Sequence, residues 1–169
     1  MYQLNQAYRL TGPSDGRSRL IKKYQSSGDI VAALIQAVNK SVPVSREFAQ
    51  TFKRNTPEET CQAIYDWMRT NYIYQKEPGT YQTAKTLPRI ISDSKKGSTG
   101  DCKHFSTTAA TICKCLGLPV YFRVIDQIGR YNHIYTVVKI PGRKVIIIDG
   151  TYPYFNRQTS FRKKTDIPV

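Results

Sequence analysis

In Gly100-Asp101-Cys102-Lys103-His104-Phe105 a thiol follows a helix-capping aspartate, so its sulfur stands at the first position of a helix. The unpaired amides and macrodipole of such an end favour an anion, and a thiol there ionises more readily than free cysteine. His133 follows in Asn132-His133-Ile134, and Asp149 in Ile148-Asp149-Gly150, each in a strand-like run. Imidazole can share or take the thiol proton, and a carboxylate on the other ring nitrogen fixes its tautomer and orientation. Cys102, His133 and Asp149 are therefore the candidate nucleophile, base and orienter.

His104 is the other histidine, but it lies two residues after Cys102, where a helix turns its side chain about 200° away. It reads as a pocket neighbour or a helix-surface residue, not as the base. A three-residue turn Ile140-Pro141-Gly142 pairs Lys139 with Arg143 and brings His133 directly opposite Asp149. A two-residue turn Pro141-Gly142 sends the two side chains to opposite faces. The set thus requires the wider turn or a β-bulge in the hairpin. The sulfur must also open onto a groove, expected to be walled in part by residues 75–100.

The elements that must position these residues are partly legible. Residues 1–28 are rich in Gly, Ser, Gln and Arg, with Gly12-Pro13-Ser14-Asp15-Gly16 a clear loop signal. Asp29 reads as the N-cap of a short helix with the stripe Ile30, Val31, Leu34, Ile35 and Val38; Ser41-Val42-Pro43 breaks it, and a second short helix spans Arg46–Lys53. Thr56-Pro57-Glu58-Glu59 combines a capping box with proline at the first helical position, predicting a helix over 57–72. Its apolar face is Cys61, Ile64, Tyr65, Met68 and Tyr72, with Trp67 as core or pocket wall. Residues 75–100 read as a long polar loop. Asp101 caps a helix running to about Leu116, ended by Gly117 and Pro119. Val120–Ile125, His133–Ile140 and Lys144–Ile148 follow as an antiparallel meander. The chain after Tyr152 reads as a basic surface tail.

Composition bounds the alternatives. A chain of 169 residues has one domain's worth of core, and no run of about 18 apolar residues predicts a membrane span. The start Met1-Tyr2-Gln3-Leu4-Asn5-Gln6 has no apolar stretch of the secretory type, so a signal peptide is not expected. Cys61, Cys102, Cys113 and Cys115 do not form a disulfide framework. Nor do they form a zinc site with His104: Cys102 and Cys113 stand about 16 Å apart along one helix, and Cys113 and Cys115 point to different faces. No metal and no cofactor is expected.

Lys and Arg total 26 against 12 Asp and Glu, a net charge of +14, which suits an acidic protein partner or nucleic acid. The basic residues are spread along the chain, densest over Arg157–Lys164, and no nucleic-acid-binding motif accompanies them.

The chain resembles the transglutaminase-like superfamily, papain-related enzymes with the triad order Cys, His, Asp. The matching pieces are Thr56-Pro57-Glu58-Glu59, Ile64-Tyr65-Asp66-Trp67, Tyr72-Ile73-Tyr74, Gly100-Asp101-Cys102, Leu116-Gly117-Leu118-Pro119, Asn132-His133 and Ile148-Asp149-Gly150-Thr151. The resemblance covers residues 56–153, leaving 1–55 as an N-terminal extension with short helices and 154–169 as a basic tail. It implies an α+β fold, a papain/transglutaminase-like core with the nucleophile helix on an antiparallel sheet. It carries the triad onto Cys102, His133 and Asp149. Trp67, Tyr72, Tyr74, Gln82 and His104 are candidates for substrate or oxyanion contact. The implied chemistry is acyl transfer on a polypeptide or amide substrate, with hydrolysis favoured over cross-linking. The rival is an inactive binding or structural module, in a phage particle or nucleoprotein assembly, using the basic surface. The chain is also similar to small transglutaminase-like proteins of Bacteroidetes and their phages, so the expected location is cytoplasmic, or virion-associated if phage-encoded.

Overall fold

The computed structural model describes residues 2–14, 18–22, 26–78, 81–129 and 131–169. In chain order these form α1 (Tyr2–Thr11), β1 (Ser18–Lys22), α2 (Ser27–Gln50), α3 (Pro57–Asn71), β2 (Tyr81–Lys85), α4 (Leu87–Lys95) and α5 (Cys102–Cys115). Then come β3 (Val120–Asp126), β4 (Tyr131–Val138), β5 (Ile146–Ile148) and β6 (Lys163–Pro168). β1 and β2 pair as a small antiparallel sheet, and the main antiparallel sheet has the order β5-β4-β3-β6. The fold is α+β, as expected.

The nucleophile helix α5 is central. Every residue from Lys103 to Cys113 is buried, so it cannot rely on an amphipathic pattern. Its hydroxyls are satisfied within the helix: Thr107, Thr108 and Thr111 each donate to the carbonyl four residues back, at 2.9, 3.0 and 2.7 Å. Phe105, Ala109 and Ile112 pack with Ile134, Val138, Ile146 and Ile148 of the sheet and with Leu34 and Val38 of α2 in one core. Burying a side chain such as Ile112 contributes roughly 2 kcal/mol. The other face of the sheet carries a smaller cluster, Ile125, Tyr135, Val137 and Ile147, covered by Phe161.

α3 begins as expected: Thr56 Oγ1 accepts from the Glu59 amide at 3.1 Å and Glu59 accepts from the Thr56 amide at 3.0 Å. Elsewhere the structure corrects the sequence reading. The two short helices around Pro43 are one helix, α2. Its cap is Ser26, and Asp29 is the third helical residue, returning the reciprocal bond. Pro43 removes one helical donor, yet the helix continues because Val38, Ser41, Ser45 and Phe48 are buried on both sides of it. The Ser41 hydroxyl also donates to Ala37 O at 2.6 Å and accepts from the Leu87 amide at 2.8 Å.

α1 precedes the loop signal, in a stretch where no element is legible because its inward face is only Leu4, Ala7 and Thr11 in a polar sequence. The loop signal at Gly12-Pro13-Ser14 stands, while Asp15 and Gly16 lie outside the described residues. The supposed loop 75–100 contains β2 and α4. Pro88 sits in the first turn of α4, where it is tolerated, and Leu87, Ile90 and Ile91 are buried. The supposed basic tail ends as the edge strand β6, which pairs with β3 from Tyr121–Pro168 to Asp126–Lys163. Its anchor is a forked ion pair: Arg123 Nε and Nη2 donate to the Asp166 oxygens at 2.6 and 2.8 Å.

Candidate active site

Gly100 turns the chain into α5 at φ +118, and a Cβ there would lie 2.2 Å from His104 Nδ1, so only glycine fits. Asp101 then caps the helix. Its carboxylate accepts from the Lys103 amide at 3.1 Å, and its own amide donates to His104 Nδ1 at 3.2 Å. Cys102, the first helical residue, is half-buried. Burial alone would raise the Asp101 carboxyl, but the neighbouring His104 ring and the Lys103 ammonium outweigh it and hold it well below the usual range.

His104 is thus wholly buried and part of the cap, not a helix-surface residue. Its Nε2 lies 3.2 Å from Thr83 Oγ1 and 3.7 Å from Glu77. Ligand atoms of Glu77, Asp101 and His104 lie within 4.8 Å of one another, a spacing open to a cation. The cation among them is the ammonium of Lys103, bonded to Asp101 and to Gln82 Oε1 and 3.5 Å from Glu77. This cluster ties Glu77, Gln82 and Thr83 to the helix start that carries the nucleophile. Sequence reasoning missed it because Lys103 and Glu77 look like ordinary surface charges.

His133 projects from β4 and Asp149 follows the end of β5. The observed β4–β5 pairs are Thr136–Ile148, Val137–Ile147 and Val138–Ile146, two residues away from the expected register. Continued, that register sets Asp149 opposite Tyr135, making His133 its diagonal neighbour. Parity is preserved, so both side chains stay on one face. The predicted three-residue turn is replaced by a wider connection over 139–145, within which the Arg143 amide donates to Ile140 O at 3.1 Å around Pro141-Gly142. The bulge lies instead between β3 and β4, at Ile125–Asp126.

In this geometry His133 Nε2 donates to Asp149 Oδ2 at 2.7 Å. The Cys102 side chain is the other group that acts on the ring, and Nδ1 is the nitrogen left to face it. Burial by itself would lower the His133 pKa, but the bond to Asp149, the Cys102 side chain and the charges of both raise it to about 10. Asp149, itself buried, has its second oxygen taken by Thr151, whose amide and hydroxyl donate to Oδ1 at 3.0 and 2.7 Å. The Ser106 hydroxyl stands 2.7 Å from Cys102 O and 2.9 Å from Ile134 O, and Thr136 Oγ1 donates to Ser106 O at 2.9 Å. These bonds stitch the nucleophile helix to the histidine strand. Thr151 and Ser106 escaped the sequence reading; the hydroxyl two residues after an aspartate in Asp149-Gly150-Thr151 was the available signal.

The remaining candidates scatter. Tyr74 is near the sulfur: it bridges in parallel to Gly100, and its ring lies 6.3 Å from that of Phe105. Burial, then the charges of Cys102, Asp101 and Asp149, raise its hydroxyl pKa. Tyr72 faces the core, its hydroxyl 3.0 Å from Thr108 Oγ1. Gln82 is engaged by Lys103. Trp67 packs on Phe48, Phe52 and Tyr72 and lines a groove of about 1190 Å³ that includes none of Cys102, His133 and Asp149. A smaller groove beside Cys115 also excludes them. The wall expected from residues 75–100 falls in part on 79–80, outside the described residues.

A thiol at a capped helix start, beside a histidine that a buried carboxylate orients, is the arrangement of a cysteine-dependent enzyme class. The chain belongs to the transglutaminase-like superfamily, whose family model matches residues 44–149. Among solved structures it is similar to a candidate cysteine protease from Cytophaga hutchinsonii, at 19% identity and a TM-score of 0.51 over 79% of this chain and 49% of that one. It is also similar to a candidate protease from Parabacteroides distasonis, at 16% identity and a TM-score of 0.54 over 74% of this chain and 26% of the other. The chain thus spans about half of the first and a quarter of the second, and at these identities the likeness concerns the fold. No curated protein matches. Among the described residues no helix is long and apolar enough to cross a membrane.

Proposed function

We propose that this protein transfers acyl groups from amide bonds through Cys102, with His133 as acid and base and Asp149 holding the imidazole. The observation that carries the reading is the His133 ring, which donates to Asp149 at 2.7 Å and has the Cys102 side chain as its other neighbour. The Cys102 sulfur adds to the amide carbonyl carbon, with the Cys102 backbone amide at the helix start facing the developing oxyanion. The carbon–nitrogen bond then breaks as His133 gives its proton to the departing amine, leaving a thioester. Water, or a second amine, adds to the thioester carbon and gives its proton to His133 as the carbon–sulfur bond breaks. Hydrolysis is the favoured outcome, and protein cross-linking the lesser one.

The test is to incubate the protein with a pool of glutamine-containing peptides and a fluorescent primary amine, and to follow both fates by mass spectrometry. Cleavage or deamidation that disappears in Cys102→Ala supports the hydrolase, and Cys102-dependent amine incorporation the transferase. Absence of both in the wild type favours the rival, a binding module using the +14 charge. Its retention of nucleic acid or an acidic protein would weaken steeply with salt and survive Cys102→Ala.

A further inference from the structure

Large apolar side chains that fold into water are informative when they gather at one place. The large hydrophobics most exposed among the described residues are Ile73 (60%), Tyr74 (52%), Ile128 (64%), Tyr154 (66%) and Val44 (51%). All but Val44 lie on segments that frame the site.

Ile73 and Tyr74 run beside the approach to Cys102. The Ile73 amide donates to Thr99 Oγ1 at 3.1 Å, Tyr74 bridges to Gly100, and the Gln75 amide donates to Gly100 O at 2.9 Å. Tyr154 lies beyond Asp149, on a segment whose path is fixed at several points. The Tyr152 amide donates to Asp149 O at 3.1 Å, Tyr65 Oη donates to Tyr152 O at 2.8 Å, and the Tyr152 and Tyr154 rings stand 6.1 Å apart. Ile128 occupies the tip of the β3–β4 hairpin, on the arm that carries His133. The tip is clamped by Gln127 and Asn132, which exchange bonds of 3.0 and 2.9 Å.

His133 and Asp149 are thus each followed or preceded in their own segment by an exposed apolar side chain, and Cys102 by a pair on the strand-like stretch bridged to Gly100. Folding leaves these groups in water, without the burial that the core side chains gain. We propose that this rim is the specificity surface of the site, and that the substrate is a polypeptide segment with a large aromatic or aliphatic side chain next to the reacting amide.

This rests on the acyl-transfer reading, so the test must separate the two. The probes are neutral alkylating agents of graded side chain: iodoacetyl amides of phenylalaninamide, leucinamide, serinamide and glycinamide. Rates at Cys102 are read by intact mass and divided by each reagent's rate with glutathione. The phenylalanine and leucine reagents are expected to react about tenfold faster at Cys102 than the serine reagent, the scale of one apolar contact. In the folded variants Tyr74→Ser, Ile128→Ser and Tyr154→Ser that ratio should fall toward one. Iodoacetamide reports on the underlying chemistry. If it selects Cys102 while the four reagents do not differ, the rim proposal is overturned and the acyl-transfer reading stands. Loss of Cys102 selectivity for iodoacetamide overturns both. An apolar preference untouched by all three variants places recognition elsewhere and also overturns the proposal.

Discussion

At the scale of the residue, the site depends on the charge state of His133. Asp149 and Cys102 together outweigh burial and lift its pKa from the usual 6.5 to about 10. A raised folded-state value means that protonation favours the fold. The stabilisation is complete below about pH 6.5 and is lost as pH rises toward 10. The His133 ring signal in proton NMR should therefore remain that of imidazolium through neutral pH. Asp149→Asn should move its midpoint down by more than about one pH unit. A wild-type midpoint near the unperturbed value would contradict the assignment of both partners. The residue types of the site and their order along the chain are legible in the sequence itself. The two-residue offset of the β4–β5 register is not, because loop length is set by how the turn packs, and Pro141-Gly142 fits several widths. Parity survives that offset, and so does the pairing of His133 with Asp149. Lys103 and His104 are less legible still: burial converts an apparently exposed pair into a satisfied internal cluster, and sequence spacing carries no sign of Glu77 as its third member.

At the scale of the element, the helices with full end signals are readable. Thr56 and Glu59 mark the start of α3, and Asp101 that of α5. The elements that escape a reading of the sequence are those stabilised by tertiary contact more than by local pattern: α1 with its three inward residues, α2 running through Pro43, and α4 behind Pro88. The tightest local constraint is Gly100. Gly100→Ala forces a side chain into the left-handed region and onto His104, 2.2 Å away, so the cap must distort. We expect a loss of about 2 kcal/mol in denaturant-measured stability and slower alkylation of Cys102, since the helix start moves with the cap. A variant of unchanged stability and reactivity would show that Gly100 does not position the thiol.

At the scale of the whole molecule, β6 closes the sheet edge through Asp166, whose carboxyl is held down to about 2. The Arg123 bond is the main cause, opposed by burial and aided by Lys139. A depressed carboxyl contributes stability that is present above about pH 3.8 and lost as pH falls through 2. Solvent screens part of this pair at the sheet edge, so Asp166→Asn should cost about 1 kcal/mol at pH 7 in urea unfolding. The same variant should flatten the acid limb of the stability profile. Equal wild-type and variant stability at pH 7 would mean that β6 is held by its backbone pairs alone. The β6 strand is hidden in the sequence because Lys163-Lys164-Thr165-Asp166 has no apolar alternation. An edge strand needs little when an ion pair anchors it to its neighbour.

The most direct test of the Cys102–His133 pairing is the competition among the four cysteines for iodoacetamide near pH 6, followed by intact mass and peptide mapping. Cys61 and Cys113 are fully buried, so their protection proves little. Cys115 is the informative control. It is half-buried like Cys102, but its thiol donates to Val42 O at 3.6 Å, and burial raises its pKa despite the nearby charge of Arg46. Cys102 should be modified well before Cys115 in the wild type, and His133→Ala should abolish the difference. Equal labelling of Cys102 and Cys115, or a Cys102 preference that persists without His133, would contradict the pairing.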